Sequence, residues 1–424
     1  MMDNILFQIK KIIPTSLFRL GQPVYHYLLA LTGALIYRFP SHKIFVIGIT
    51  GTKGKTSVAE FVNVILEEAG YKTALVGTLR FKIGEKSKPN KFKMTMPGRF
   101  FVQSFIRKAV NSKCDYLILE MTSEGTKQFR HKFIALNSLI FTNLAPEHIE
   151  SHGSYENYLK AKLKIAHSLE KSPKKDKSII VNKDDAEASK FLDINIRNKA
   201  TYSLSEAEPF ELKNDSLSFT YKNIQIISDL SGEFNIYNIL SAIKFSETQN
   251  INIDIVKKAI ENLKSIRGRV EKIKINGNPP AGGFDVIVDY AHTPDSLEKL
   301  YQAFPDSKKI CVLGNCGGGR DMWKRKIMGS IADKYCSQII LTNEDPYDED
   351  PLKIINDVAT GIKKVDYDII EDRREAIEKA ISSAKTGDIV LISGKGTDPY
   401  IMGPNNSKIE WDDAEVVREI LKKR

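Results

Sequence analysis

Ten residues decide most of what this chain can fold into: Gly48-Ile49-Thr50-Gly51-Thr52-Lys53-Gly54-Lys55-Thr56-Ser57. They follow the apolar run Ile44–Ile47 and lead into Val58–Ala69, where apolar residues recur at helical spacing. Strand, glycine-rich loop and helix in that order make a cradle for a nucleotide's phosphates. Gly51 and Gly54 let the backbone curl so that its N–H groups point inward, and the helix start adds partial positive charge. Lys55 reaches the outer phosphates, the Thr56 hydroxyl joins the shell of a Mg²⁺, and Thr52 and Ser57 complete the loop. Ile49 stands where the strict pattern has its first glycine. The loop specifies ATP or GTP, and not what the energy is used for.

A chain of 424 residues has the length for two or three domains with substantial cores. Its apolar content of 42% and charged content of 27% are ordinary for a soluble globular protein. The net charge of +10 comes from lysines spread along the chain, as in Lys171–Lys177 and Lys422–Arg424. Such runs are ordinarily solvated faces; attraction to anionic substrates or a membrane surface is the sharper alternative. No basic motif is interleaved with aromatics, so nucleic acid is not expected as a partner. Cys114, Cys311, Cys316 and Cys336 have neither the density of a disulfide framework nor a zinc spacing, and are expected as reduced thiols. At the N-terminus, Lys10, Lys11 and Arg19 precede the apolar run Val24–Tyr37, which lacks a signal-peptide cleavage site and is short for a membrane span. A helix packed on the body and an interfacial helix resting on a membrane both remain open.

From Lys43 onward short apolar runs alternate with helical ones, the pattern of α/β layers. Strands are expected at Ile44–Ile49, Tyr116–Glu120, Ser138–Thr142 and Ser178–Val181, with helices at Ser57–Ala69 and Phe100–Asn111. Tyr202–Leu204, Leu217–Tyr221 and Ile224–Ile227 are expected as short antiparallel strands, followed by helices Ile236–Glu247 and Ile255–Ser265. A second α/β series begins near Gly268, with strands at Val286–Tyr290, Ile310–Leu313, Gln338–Leu341 and Ile389–Ile392.

Further segments supply what the phosphate loop lacks. Glu120 closes an apolar strand, where a Mg²⁺ ligand belongs, although alone it equally fits an ordinary loop-edge acid. His148 follows another strand, and alone is more often structural than a ligand. Lys160, Lys162 and Lys164 lie on one helix, normally a solvated face. Asp289-Tyr290-Ala291-His292 closes the first strand of the second series, and Gly317-Gly318-Gly319-Arg320 is a loop suited to close backbone approach with Arg320 as a charge donor.

Together, GTKGKT at 51–56, NLAPEHIESHGSYENYLKAK at 143–162, GEFNIYN at 232–238, GR at 268–269, VDYAHTPDSLEK at 288–299, GGGRDMWKR at 317–325, EDPYDEDP at 344–351 and GKG at 394–396 resemble the Mur ligase family, most closely its tripeptide synthetases. The likeness runs in the family's order over residues 43–424. It implies an α/β fold with a central P-loop ATPase-type domain over 43–267, a C-terminal Rossmann-like domain over 268–424, and a short helical N-terminal segment, 1–42. It also implies a reaction: ATP phosphorylates a substrate carboxylate, an amino group attacks the acyl phosphate, and an amide forms. Such catalysis rests on positioning and electrostatics.

By this resemblance Lys55 binds the ATP phosphates, Thr56 and Glu120 bind Mg²⁺, and His148 helps to bind a second Mg²⁺. Lys162 falls on the lysine that these ligases carbamylate to N6-carboxylysine, an anionic metal ligand. Lys55, Lys162 and His148 are thus the catalytic candidates. Asn235 and Asn238 match adenine-side contacts, and Arg269, Asp289 and His292 match residues by which the C-terminal domain closes over the nucleotide. Thr122, Gln128 and Arg130 match positions that hold the muramoyl-peptide; Arg320, Asp345, Tyr347, Gly394 and Asp398 fall on the acceptor side. The implied partners are a UDP-muramoyl-peptide or a lipid-linked equivalent and an amino acid, in the cytoplasm, with peripheral membrane contact through residues 1–40 left open.

The chain departs from the family's pattern in several places. Lys53 replaces an asparagine, Glu147 an aspartate, Glu124 a histidine, and Met96-Pro97-Gly98 stands for Thr-Pro-Asp. Enzymes adding meso-diaminopimelate resemble Asp-Asn-Pro-Arg where this chain reads Glu344-Asp345-Pro346-Tyr347, and Thr397-Asp398 replaces a His-Glu pair. Without the arginine, diaminopimelate loses a charge-assisted contact worth roughly 1.5–3 kcal/mol, which brings in acceptors such as lysine. Only 42 residues precede the first strand where the synthetases carry a UDP-gripping domain. A folylpolyglutamate-synthase-like ligase and a nucleotide-switched binding protein are the rival expectations.

Overall fold

The computed structural model describes residues 15–147, 149–275, 277, 278, 280 and 282–423, with the backbone alone over 15–20. Eight strands, β1 (Phe45–Thr50), β2 (Thr73–Val76), β3 (Arg80–Ile83), β4 (Lys86–Pro89), β5 (Tyr116–Glu120), β6 (Ser138–Phe141), β7 (Ser178–Asn182) and β8 (Asn198–Tyr202), form one sheet in the order β4-β3-β2-β5-β1-β6-β7-β8. It is parallel from β2 to β8, with β3 and β4 added antiparallel at one edge. Side chains alternate between its faces: Val46, Leu117 and Leu119 join one core, Ile47, Ile49 and Ile118 the other. Both faces are covered by helices, which is why these strands read as continuous apolar runs.

The helix after the phosphate loop runs Lys55–Glu68. Val58, Phe61, Val62, Ile65 and Leu66 recur at helical spacing and are fully buried. At roughly 1.5–3 kcal/mol for each such side chain, this stripe pins the helix start, and with it the loop, against the sheet.

Three antiparallel strands, β9 (Phe210–Leu212), β10 (Leu217–Tyr221) and β11 (Ile224–Ser228), follow. A second sheet contains β12 (Glu271–Lys272), β13 (Asp285–Val288), β14 (Lys309–Leu313), β15 (Gln338–Leu341), β16 (Tyr367–Ile369) and β17 (Ile389–Ile392), in the order β12-β13-β17-β14-β15-β16. All but β12 run parallel, again with an apolar core on each face. A ribbon, β18 (Tyr400–Met402) and β19 (Lys408–Glu410), lies beyond it.

Two expectations need correction. Tyr202 is not the start of an antiparallel strand: it ends β8, paired in parallel with β7, and Leu204–Ala207 is a 3₁₀ turn. The three-stranded sheet takes Phe210–Leu212 instead, because Phe210 pairs opposite Phe219. The cysteines are not all free thiols: Cys311 and Cys336 form a disulfide, leaving Cys114 and Cys316. Cys311 lies in β14 and Cys336 ends the helix Lys324–Tyr335 before the neighbouring β15, so the fold joins side chains 25 residues apart.

The N-terminal run forms the helix Thr15–Ile36, which packs on the helix Arg99–Asn111. Ala30 and Ala34 are buried in that contact, and Tyr27 meets the rings of Phe129 and Phe133 edge-on. Val24, Tyr25, Leu28, Leu35 and Ile36 stay exposed. No described helix is long and apolar enough to cross a membrane.

Candidate active site

β1 lies between β5 and β6 in the sheet, at the switch point where α/β folds bind ligands beyond the strand ends. The register puts Ile49 beside Glu120 and Thr50 beside Phe141, so the phosphate loop, Glu120 and Thr142 emerge together. Gly51 has φ of 151°, and a Cβ there would lie 1.9 Å from the Thr142 hydroxyl. Gly54 has φ of 82°, with a Cβ position 2.4 Å from Asn238 Oδ1. Both positions demand glycine. Thr52 N donates to Asn143 O at 2.8 Å, Lys53 N to Asn143 Oδ1 at 2.9 Å, and the Thr142 hydroxyl to Lys53 O at 2.6 Å. Ser57 is buried in the first turn of the helix.

Lys55 donates from Nζ to Gly51 O at 2.8 Å and Thr52 O at 2.9 Å. Lys162 reaches the same Gly51 carbonyl at 2.7 Å, from the helix Tyr155–Glu170. It is therefore no solvated-face lysine: it is 2% exposed, and its ammonium lies 4.8 Å from the centre of the Tyr158 ring. Burial drives its basicity well below that of an ordinary lysine, and the Lys55 ammonium adds to this. Lys55 is lowered by burial too, with Glu147 and Glu120 pulling the other way.

Glu120 is 1% exposed. It accepts from the Thr56 hydroxyl at 2.9 Å, Thr78 N at 2.8 Å and the Thr78 hydroxyl at 2.9 Å. Burial raises its carboxyl, and the donors from Thr78 and Thr56 and the Lys55 charge oppose this. Among the described residues no three His, Cys, Asp or Glu side chains gather as a ready metal cage. The adjacent Thr56 hydroxyl and Glu120 carboxylate at a phosphate loop suit Mg²⁺, which keeps waters and phosphate oxygens in its shell. His148 lies outside the described residues.

On the nucleotide side, Asn238 Nδ2 donates to Asn235 Oδ1 at 3.0 Å and Asn235 Nδ2 to Ser231 O at 2.8 Å, fixing the pair beside Gly54. From the second sheet, the Arg269 guanidinium stacks 4.5 Å from the Tyr290 ring centre. Asp289 accepts from Val270 N and Ala291 N, both at 2.7 Å, and so shapes the turn that carries His292. His292 Nε2 lies 3.2 Å from Glu147 Oε1, and Lys53 Nζ lies 3.0 Å from the same oxygen. The two loop departures, Lys53 and Glu147, thus pair with each other and tie the phosphate loop to the second sheet. Each departure is legible in the sequence; their pairing, across 94 positions, is not.

Thr122, Gln128 and Arg130, expected to hold the muramoyl-peptide, gather around one short helix. Thr122 caps the short helix Ser123–Lys127, its hydroxyl accepting from Gly125 N at 3.0 Å. Arg130 donates to Gln128 Oε1 at 2.7 Å and to Met96 O. Glu124 pairs with buried His152, Oε1 to Nε2 at 3.1 Å.

The residues expected on the acceptor side gather beyond the C-terminal ends of β14, β15 and β17. Lys395 Nζ lies 2.9 Å from Asp345 Oδ1 and 3.2 Å from Asp398 Oδ2. A Cβ on Gly394 would meet Glu344 Oε2 at 2.4 Å, so that carboxylate lies against the backbone there. The Arg320 guanidinium lies 4.7 Å from the ring centre of Tyr347. Lys395, and Lys93 from the first sheet's edge, were not singled out from the sequence. Lys395 lies inside the GKG motif at 394–396; nothing local marks Lys93.

A phosphate loop at the switch point of one parallel sheet, facing the strand ends of a second, is the arrangement of an ATP-dependent carboxylate–amine ligase. The Mur ligase middle-domain model matches residues 49–245 and the Mur ligase glutamate ligase domain model residues 268–396. The chain belongs to the Mur ligase family and is an ATP-dependent acid–amino-acid ligase. It is 37% identical over 409 residues to a UDP-N-acetylmuramoyl-L-alanyl-D-glutamate–2,6-diaminopimelate ligase of Syntrophomonas wolfei, covering 93% of this chain and 81% of the relative. It is 36% identical over 409 residues to a UDP-N-acetylmuramyl-tripeptide synthetase of Borreliella burgdorferi, covering 91% and 78%. A solved 2,6-diaminopimelate ligase matches with TM-score 0.60 at 26% identity, over 90% of this chain and 78% of that one. Mycobacterium tuberculosis folylpolyglutamate synthase shares the fold, with TM-score 0.66 at 15% identity over 88% and 95%.

Proposed function

We propose that this ligase joins an amino acid to the free carboxylate of a UDP-muramoyl-dipeptide in peptidoglycan synthesis. The observation that carries this is the convergence of Lys55, Thr56, Glu120 and Lys162 on the loop, opposite the Asp345–Lys395–Asp398 pocket. ATP with Mg²⁺, held by the loop, Thr56 and Glu120, supplies the phosphoryl group that activates the carboxylate. Lys55 moves from its loop carbonyls onto the phosphates, and the buried cationic surroundings favour the charge that develops. Thr122, Gln128 and Arg130 orient the muramoyl-peptide, while Arg269, Asp289 and His292 bring the second sheet over the nucleotide, where Asn235 and Asn238 flank the adenine side.

The depressed basicity of Lys162 supports its carbamylation, since only the neutral amine attacks CO₂. The C–N bond forms, one proton leaves, and the product is an anionic carbamate, a group that would serve as a metal ligand. His148 belongs to the same proposed metal site.

The Syntrophomonas wolfei relative's name specifies diaminopimelate while the Borreliella burgdorferi one names no amino acid, and relatedness at this level supports a diamino acid acceptor. In this chain Tyr347 stands where a far carboxylate would find arginine, and Asp345 and Asp398 line the pocket. We therefore read the acceptor as a diamino acid recognised through its distal ammonium, lysine above diaminopimelate. The exposed apolar residues of the helix Thr15–Ile36 support peripheral membrane contact by a cytoplasmic enzyme, and with it a lipid-linked form of the substrate.

Phosphate release by the full chain with ATP and Mg²⁺, crossing UDP-muramoyl-dipeptide with lysine, diaminopimelate and other amino acids, tests the assignment. Turnover with the muramoyl substrate and lysine is expected; turnover only with a pteroyl substrate overturns it. Vesicle binding unchanged on deleting residues 1–40 removes the membrane part.

A further inference from the structure

Lys93 lies in the loop between β4 and the helix Arg99–Asn111, at the edge of the first sheet, yet its ammonium sits in the acceptor pocket of the second. Nζ lies 2.6 Å from Asp345 Oδ2, 3.3 Å from Asp398 Oδ2 and 3.1 Å from the Tyr400 carbonyl. Lys395 Nζ draws on the same three groups, at 2.9 Å from Asp345 Oδ1, 3.2 Å from Asp398 Oδ2 and 2.6 Å from the Tyr400 carbonyl, so two ammoniums share one seat of oxygens. The seat is built and not incidental. The carboxylate side chains are 4% and 7% exposed, and Met402 N donates to Asp345 Oδ1 at 2.8 Å. The loop is shaped to deliver the lysine: Asn90 Nδ2 bonds Gly77 O and Met94 O, and Lys93 itself has φ of 53°.

Carboxylates outnumber ammoniums in this cluster. Glu344, Asp345 and Asp398 face Lys395 and Lys93, while Arg373 is matched by Asp413. Asp398 Oδ1 and Glu344 Oε2 are buried with no hydrogen-bond partner. Unpaired buried carboxylate oxygens beside a filled ammonium seat mark a place that receives a further cation.

We propose that Lys93 is a tethered stand-in for the acceptor's distal ammonium. It fills the Asp345–Asp398 seat and latches the two sheets together until a diamino acid takes the seat, with Asp398 Oδ1 and Glu344 Oε2 as its additional acceptors. The acceptor then carries out the pairing that Lys93 performs in its absence, and Lys93 becomes a positioning residue that selects acceptors bearing a distal ammonium. This deepens the ligase assignment above and rests on it for the acceptor's class.

The test is calorimetric binding of lysine, ornithine, diaminopimelate and norleucine to the full chain with Mg²⁺ and a non-hydrolysable ATP analogue, for wild type, Lys93→Met and Lys93→Arg. Removing an intramolecular competitor that makes charge-assisted bonds should tighten lysine or ornithine binding by about ten-fold in Lys93→Met. Norleucine, lacking the ammonium, should not gain, and Lys93→Arg should stay near wild type. In turnover the KM for the diamino acid should fall while those for ATP and the muramoyl substrate hold within about two-fold. Binding of the diamino acids unchanged or weakened in Lys93→Met overturns the proposal. A selective loss of diaminopimelate also overturns it, since Lys93 would then hold a carboxylate. A wild type that binds lysine but turns over no muramoyl substrate sinks the ligase assignment alone.

Discussion

Two lysines 107 positions apart in sequence, Lys55 and Lys162, donate to one carbonyl oxygen, that of Gly51. A phosphate loop announces Lys55 from its motif; Lys162 sits in a run of lysines where composition alone argues for a wet surface. Only packing separates it from Lys160 and Lys164, by burying its stem against Tyr158 and lowering its basicity. Lys162→Ala is expected to lower turnover by about 10²–10³-fold, the usual cost of deleting a group that stabilises developing charge. High bicarbonate should not restore it, because no amine remains to be carbamylated. Full activity in that variant would falsify the carbamate's place in the reaction.

At the level of single elements, the sequence was most legible where one helix or strand buries one face. The helix Lys55–Glu68, β5 and β6 lie within two residues of expectation because apolar spacing sets them. β3, β4, β9 and β16 were not legible: they are short, and their pairing partners rather than their own composition make them strands. Site residues followed the same division. Glu120 could be placed from its strand end, whereas the pairing of Glu124 with His152 could not, since it depends on how the helix Ser123–Lys127 meets the short helix Ile149–His152 in space.

That second pairing has a pH signature. Burial alone would raise the Glu124 carboxyl, but hydrogen bonds from His152 and Ser151 bring it to about 2 from 4.5. Its folded pKa lies below the unfolded one, so its contribution to stability is complete above pH 4.5 and is lost as pH falls toward 2. Glu124→Gln should therefore be less stable than wild type at neutral pH, with the gap closing as the medium is acidified. Partial exposure keeps that gap to about 1 kcal/mol or less. Urea titrations of both proteins at pH 7 and pH 3 measure it; a gap that widens in acid would refute the pairing's role.

On the scale of the molecule, both sheets point the C-terminal ends of their parallel strands at each other, and charged bridges join them. Lys53, Glu147 and His292 form one beside the phosphate loop, and Lys93 with Asp345 and Asp398 forms the other. Neither bridge was visible in local sequence, because each joins residues over 90 positions apart. Glu147→Gln removes the shared anion of the first bridge, a charge-assisted contact of roughly 1.5–3 kcal/mol, so the ratio of closed to open molecules should fall by about ten-fold or more. Small-angle scattering with Mg²⁺ and an ATP analogue should report a larger radius of gyration than wild type. An unchanged radius and unchanged kcat would dismiss the bridge as ornamental.

The opposed strand ends have a further consequence for nucleotide economy. Each half of the centre, left to itself, faces water instead of the other reactant. A phosphoryl group activated while the halves are apart is open to hydrolysis; while they are together, it meets only the carboxylate and the amine. Idle ATP turnover without acceptor is thus a clock for how often this molecule opens.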